Sequence, residues 1–337
     1  MRAQVALTLA MLATACGPGF VPGDRIDRTR IVQARAHAAG DPTRAWLLPG
    51  EQASIEYLVV SREAASDPLR TAFAACNQEV LAGVNGLRGC AGASFDASSV
   101  DVAAASVPTL ARTVDVPHGL TPDFSTFVLT YLGICVGDGT PMLDALAPTV
   151  TCSTGASELY RYSVQVIPDL RLANHNPNIH DELYYLGDLL WDAPRPGVAT
   201  TGCATLPASS SLPTVRMSAH DSPELIFGCS PDDRETYPAF DADRNPILAR
   251  EKLDIAHYVT LGRISGSTRI DDDTGDTVST RWTRPIDHHR RNGDEDLVLS
   301  VQQLADLPRG LLVRFWFVAR DHRSGSDWVE RDLCFVP

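Results

Sequence analysis

The residues best suited to hold a metal sit at Asp271-Asp272-Asp273-Thr274-Gly275-Asp276, where Asp271, Asp273 and Asp276 are the candidate ligands. Calcium takes about six to eight oxygens, and an EF-hand loop needs glycine at its sixth position and glutamate at its twelfth. Counted from Asp271, those positions hold Asp276 and Trp282, so the EF-hand spacing fails. Asp241-Ala242-Asp243-Arg244-Asn245 fails in the same way, with Pro246 at the glycine position. Both stretches read as solvated turns with charged tips, and low-affinity calcium binding between loops is the alternative. His288 and His289 are adjacent, and adjacent residues on an extended chain point to opposite sides. His175 and His180 lie near Asp181 and Glu182 without a metal-binding spacing, so they are expected to be solvated loop histidines.

Nucleophilic catalysis would be signalled most clearly by Gly-x-Ser-x-Gly at a strand-to-helix turn. The nearest match, Gly92-Ala93-Ser94-Phe95-Asp96, lacks the second glycine. The sequence holds no Gly-x-Gly-x-x-Gly, no P-loop and no His-Glu-x-x-His, which removes the common nucleotide and zinc-protease readings. No catalytic residue is therefore assigned, and the chain is read as a non-enzyme. A hydrolytic site assembled from distant loops stays as the rival, since triads need no local motif.

The cysteines do a different chemistry. Cys16 follows Arg2 and an apolar-to-small run from Val5 to Ala15, a stretch shorter than the roughly 20 residues a permanent membrane helix needs. Residues 1–15 read as a signal peptide. Ala13-Thr14-Ala15-Cys16 resembles the lipobox of bacterial lipoproteins, although Leu12 stands one place early and Ala13 takes the usual leucine position. The resemblance makes Cys16 the acceptor of a thioether lipid and of palmitate-like acyl chains. Gly17 follows it where some bacteria place an inner-membrane retention aspartate, so the resemblance favours the outer membrane.

Seven cysteines remain, an odd number: Cys76, Cys90, Cys135, Cys152, Cys203, Cys229 and Cys334. In an exported protein they are disulfide candidates. Spacing suggests Cys76–Cys90, Cys135–Cys152 and Cys203–Cys229, with Cys334 left over. Joining Cys229 to Cys334 and freeing Cys203 is equally open.

The elements that must position these groups are strands. Residues 16–26 are rich in glycine and proline and form a flexible tether. Arg30–Ala36, Ala53–Val60, Phe127–Cys135 and 159–167 alternate or run apolar as strands do, and Leu253–Leu261 and Thr277–Thr283 repeat the style. The clearest hairpin runs through Leu311–Ala319, a turn at Asp321–Ser326, and Asp327–Val336. Phe315 and Phe317 fall on one face and Trp316 on the other, beside Arg314. The three rings and Trp328 are read as core with one covered tryptophan, against an aromatic binding surface. Asp181–Trp191 is balanced between a partner patch and a buried element. Many short strands between turns predict a mostly β chain of two antiparallel β-sandwich domains, 27–168 and 169–337. Asn176-Pro177 near Glu182-Leu183 and Asn245-Pro246 near Glu251-Lys252-Leu253 form a weak internal echo.

The net charge of −13 disfavours nucleic acid, which calls for a basic face. Lys252 is the only lysine among 29 basic side chains, a sign of a GC-rich genome. The sequence resembles uncharacterised lipoproteins of myxobacteria and related high-GC bacteria. The resemblance rests on Arg30–Ala36, Pro49-Gly50-Glu51, Asn174-His175-Asn176-Pro177, Arg281-Trp282-Thr283-Arg284-Pro285 and the hairpin Val313–Asp321 with Gly325 to Arg331. It implies Ig-like sandwiches behind a lipid anchor and supplies no catalytic residues or cofactor. The expected function is that of a cell-envelope binding or structural module that touches the membrane through its lipid and an unknown envelope protein or glycan. A calcium-dependent surface adhesin is a further alternative.

Overall fold

Alternate side chains of an extended chain point to opposite faces, and here one face of most segments is apolar, so they pair into sheets that close over a core. The computed structural model describes residues 24–337 except 63–68, 78, 82–87, 91–95, 103–108, 123–125, 181–182, 194–200, 207–211, 218–222, 229–233, 242, 265–266, 274–275 and 286–298. The signal segment with Cys16, and Ser94, Asp181, Glu182, Cys229, His288 and His289, lie outside the described residues.

The first group of strands is β1 (Arg30–Ala38), β2 (Gln52–Val60), β3 (Leu69–Cys76), β4 (Glu79–Leu81), β5 (Arg88–Cys90) and β6 (Asp96–Val102). It continues with β7 (Thr109–Asp115), β8 (Phe127–Val136), β9 (Pro141–Asp144), β10 (Thr149–Cys152) and β11 (Ser157–Gln165). The sheet β1-β2-β7 faces the sheet β11-β8-β3-β6. Ala34, Ala36, Ile55, Tyr57, Phe73, Val128, Leu132 and Val164 fill the space between them.

The second group opens with β12 (Tyr184–Leu186), β13 (Leu189–Leu190), β14 (Thr214–Arg216), β15 (Glu224–Gly228), β16 (Thr236–Phe240) and β17 (Pro246–Arg250). It ends with β18 (Leu253–Val259), β19 (Arg263–Ile264), β20 (Thr268–Ile270), β21 (Thr277–Thr283), β22 (Leu311–Arg320) and β23 (Ser326–Val336). Its sheets are β13-β12-β15-β21-β19 and β14-β23-β22-β18-β20. The order β12-β15-β21 repeats β1-β2-β7, and β23-β22-β18-β20 repeats β11-β8-β3-β6. The chain is thus mostly β, with one strand order used twice, as in Ig-like sandwiches. The Asn-Pro echo has no part in that repeat: Asn176 precedes β12, whereas Asn245 lies in the β16–β17 turn.

The second core is aromatic. Trp191 and Trp282 stand edge-on to Phe315 at 5.0 and 5.5 Å, and Tyr184, Phe227 and Phe317 pack beside them. His257, which interrupts the apolar pattern of β18, is buried edge-on to Phe227 and Phe317. Within Asp181–Trp191, Tyr184, Leu186 and Trp191 are buried while Leu183, Leu189 and Leu190 are exposed.

Among the described strand pairs, β14 and β23 depart from the antiparallel expectation: they run parallel, with Thr214 opposite Cys334. Cys76–Cys90 and Cys135–Cys152 are bonded, closing 14 and 17 residues. The third bond corrects the spacing argument. Cys203 joins Cys334 across 131 residues, and neither Cys203–Cys229 nor Cys229–Cys334 forms. The reason is topological. β15, which ends at Gly228, belongs to the opposite sheet, whereas the chain around Cys203 folds back beside β23. A Cβ at Gly310 would lie 2.7 Å from the Cys334 sulfur and 2.8 Å from that of Cys203, and its φ of +83° favours glycine.

The two sandwiches meet face to face. Trp316, Val318 and Trp328, on the outer face of β22 and β23, are buried against Ile26, Val32, Leu58 and Val60. Trp316 is therefore covered by the other sandwich. A register shift between Ile31 and Gln33 breaks the simple alternation expected of β1. Such a bulge re-aims side chains: Ile31 joins the first core and Val32 the interface. Gln33 is buried and accepts hydrogen bonds from Arg320 Nε at 2.7 Å and from the Tyr160 hydroxyl at 3.3 Å.

Candidate functional site

Among the described residues, the buried polar side chains of Asn174, Asp321, Ser326 and Asp327 gather at this junction, around the β22–β23 turn. Backbone amides in a tight turn need acceptors once buried. Asp321 supplies them, accepting from the amides of Arg323 at 2.7 Å and Gly325 at 2.8 Å. The left-handed backbone of His322 (φ 63°) and Ser324 (φ 77°) completes the turn. The first sandwich and the linker grip it from outside. Asn174, fully buried, donates to Asp321 Oδ2 at 2.6 Å. Tyr162 donates to the Ser324 carbonyl at 2.8 Å, and Trp46 Nε1 to the Arg323 carbonyl at 2.5 Å. Asn176 accepts from the Ser326 amide and donates to the Ala36 carbonyl, and the Ser326 hydroxyl donates to the Ala34 carbonyl. Gly325 has no room for a side chain: a Cβ there would sit 2.1 Å from Asp321 Oδ2 and 2.8 Å from the His175 carbonyl.

Two arginines organise the charges. Arg35 on β1 pairs with Glu56 at 2.9 Å and with the buried Asp327, and lies 4.1 Å over the Trp328 ring. His37 reaches Glu56 at 3.1 Å and His180 reaches Asp327 at 3.1 Å. The His37 hydrogen bond, together with the Arg35 charge, holds the Glu56 carboxyl at about 2, below its ordinary range.

Arg323, in the turn, lies over the rings of Tyr237 at 4.3 Å and Trp46 at 4.9 Å. Its Nη1 is 3.2 Å from both Glu235 Oε2 and Glu251 Oε1. His175 Nδ1 bonds Glu235, with Asp41 3.7 Å from its other nitrogen. The Glu251 side chain is 1% exposed. Burial first, then the Asp321 and Glu235 charges, push its carboxyl up to about 8. Burial also raises Asp321. A second raised group lies farther along β23. Asp332 is pushed up to about 7 by burial and by Glu330, with Arg314 3.8 Å away.

A proton-holding Glu251 beside Glu235 and His175 has the composition of a general acid–base pair. Access differs within the set: Glu251 is buried beneath Arg323, which lies against Trp46 and Tyr237, whereas Glu235 and His175 are partly exposed.

Several residues singled out in the sequence meet here and others do not. His175 and His180 remain partly and largely exposed, as expected of loop histidines, yet each meets a carboxyl group from a distant segment, Glu235 just before β16 and Asp327 on β23. Asp271 is buried and caps the Asp273 amide at 3.0 Å, while Asp272 and Asp276 turn toward Arg234 at 2.8 and 3.3 Å. Among the described residues no three metal-capable side chains converge. Asp241 closes its own exposed turn, accepting from the amides of Asp243 and Asn245. Glu235, Glu251, Arg323, Trp46 and Arg35 had no local signal; each is a single side chain whose partner lies far away in the chain.

No protein-family model and no curated protein matches the sequence. Among solved structures, the chain is similar to Spo0M, a sporulation control protein from Bacillus subtilis, at 8% identity and a TM-score of 0.23. The alignment covers 77% of this chain and 91% of that one.

Proposed function

We propose that the chain is a lipid-anchored cell-envelope protein acting as a binding or structural module without catalysis. The observation that carries this reading is the use of the junction's acids, histidine and arginine as internal ties between two sandwiches. The burial of Glu251 beneath Arg323 supports a role in the joint. The lipobox-like Ala13–Cys16 supports anchoring through Cys16. One acyl chain binds a membrane only marginally, so stable anchoring rests on several chains. Gly17 supports the outer membrane, and the resemblance to lipoproteins of high-GC bacteria points the same way. Three disulfides suit an oxidising compartment.

The reading is tested in two steps. Metabolic labelling with an alkyne palmitate should mark the native chain and leave Cys16→Ser unlabelled; equal labelling contradicts the anchor. The purified chain should hydrolyse generic ester, peptide and glycoside substrates no faster than the blank. Hydrolysis that Glu251→Gln or Glu235→Gln abolishes would establish the rival envelope hydrolase, with these two carboxyls as its acid and base. For the adhesin alternative, added calcium should leave Tm unchanged, since Arg234 already occupies Asp272 and Asp276.

A further inference from the structure

Three carboxyl groups gather at Arg323: its guanidinium meets Glu235 and Glu251, and its backbone amide donates to Asp321. Neighbouring carboxylates disfavour one another's charge, most of all for the one shielded from water, so the buried Glu251 keeps a proton. The elements packed around Glu251 bring it little further positive charge. The β22–β23 turn brings Asp321 and Arg323, and the residue before β16 is Glu235, whose amide donates to Glu251 Oε2 at 3.3 Å. Arg234 donates to the Glu251 backbone carbonyl and spends its remaining nitrogens on Asp272 and Asp276. Arg250 lies 4.0 Å from Asp272, and Lys252 is exposed. His175 from the linker meets Glu235 and Asp41.

The same turn is the joint between the sandwiches, since Asn174, Tyr162 and Trp46 hold it. We propose that the junction is a proton-operated clasp: with Glu251 protonated, the β22–β23 turn stays seated on the first sandwich, and ionisation of Glu251 unseats it. Opening releases one proton to water and exposes the carboxylate to solvent; closing takes the proton back. The Arg35 cluster on the same interface is the built-in control. Glu56 there is held at about 2, so it stays ionised throughout the range in which Glu251 changes state. Acidification therefore tightens the Arg323 side through Glu251, while the Glu56 carboxylate keeps its charge.

Hydrogen exchange on the full chain, corrected for intrinsic rates, tests this. A group near 8 when closed and near 4.5 when open makes opening roughly two- to three-hundredfold more frequent at about pH 9 than at about pH 5.5. The loss of protection should fall on amides at 174–176 and 321–326, while those at 53–60 keep theirs. Glu251→Gln should hold the turn equally at both pH values. Glu235→Gln, which removes one repelling charge, should move the midpoint to lower pH. Wild-type protection that ignores pH overturns the proposal, as does a Glu251→Gln chain that loosens as the wild type does. An unmoved midpoint in Glu235→Gln overturns it as well.

Discussion

Arg35 and Arg323 stand on the same interface, each against an aromatic ring and each between two carboxyl groups, yet they set opposite electrostatic conditions. Around Arg35, two histidines share the carboxylates Glu56 and Asp327, and Glu56 is held low. Around Arg323, the buried Asp321 adds a third acid, and Glu251 is driven up. The lesson is that an ion pair seen in a structure does not by itself say which way pH acts. The ratio of acids to bases, and their access to water, decides it.

The largest expected difference comes from removing each arginine. Arg35→Ala leaves Asp327 buried and without its strongest partner, which costs about 3 kcal/mol. Urea unfolding should show that loss almost unchanged between about pH 6 and about pH 9. Arg323→Ala should cost less at about pH 6, where Glu251 carries its proton, and clearly more at about pH 9, where it does not. Equal pH dependence for both variants would erase the distinction between the clusters. Next is Gly325→Ala, which forces a Cβ against Asp321 and the His175 carbonyl and should cost roughly 1–3 kcal/mol. Because that clash falls on the turn, exchange at 321–326 should rise more than exchange near Arg35. The smallest is Trp46→Phe, which keeps a ring beside Arg323 but loses the hydrogen bond to its carbonyl. About 1 kcal/mol is expected, read as a small shift in the urea midpoint.

The sequence made the strands visible and hid the joint. Val313, Phe315, Phe317 and Ala319 announce one face of β22 by alternation, and all four lie in the second core. Cys76–Cys90 and Cys135–Cys152 are legible because short loops close locally. Cys203–Cys334 is not, since its proximity is created only when the chain beside β14 folds back along β23. Val32 shows the same limit on a smaller scale: a bulge moves it from one core to another, and alternation contains no trace of that. The Asn-His-Asn-Pro stretch stood out in the sequence, but the turn it grips lies 149 residues away from Asn174 at Arg323. Glu235 and Glu251 gave no warning, because an acid's neighbours and burial, which set its proton affinity, belong to the tertiary structure.

The opposing clusters fix the pH dependence of the whole chain. Glu56, lowered from 4.5 to about 2, stabilises the fold above 4.5, and that contribution is lost as pH falls toward 2. Glu251, raised from 4.5 to about 8, destabilises the fold as pH rises from 4.5 to 8, by roughly 3 to 5 kcal/mol in all. From these shifts stability should peak at about pH 4 to 4.5 and decline toward about pH 8, with Asp332 adding to the decline below about pH 7. The most direct test is the unfolding free energy of wild type and Glu251→Gln across about pH 4 to 9. The clustered-acid account predicts a wild-type curve that falls with pH and a Glu251→Gln curve that falls distinctly less. Two parallel curves would show that Glu251 carries no shifted proton, and would contradict it.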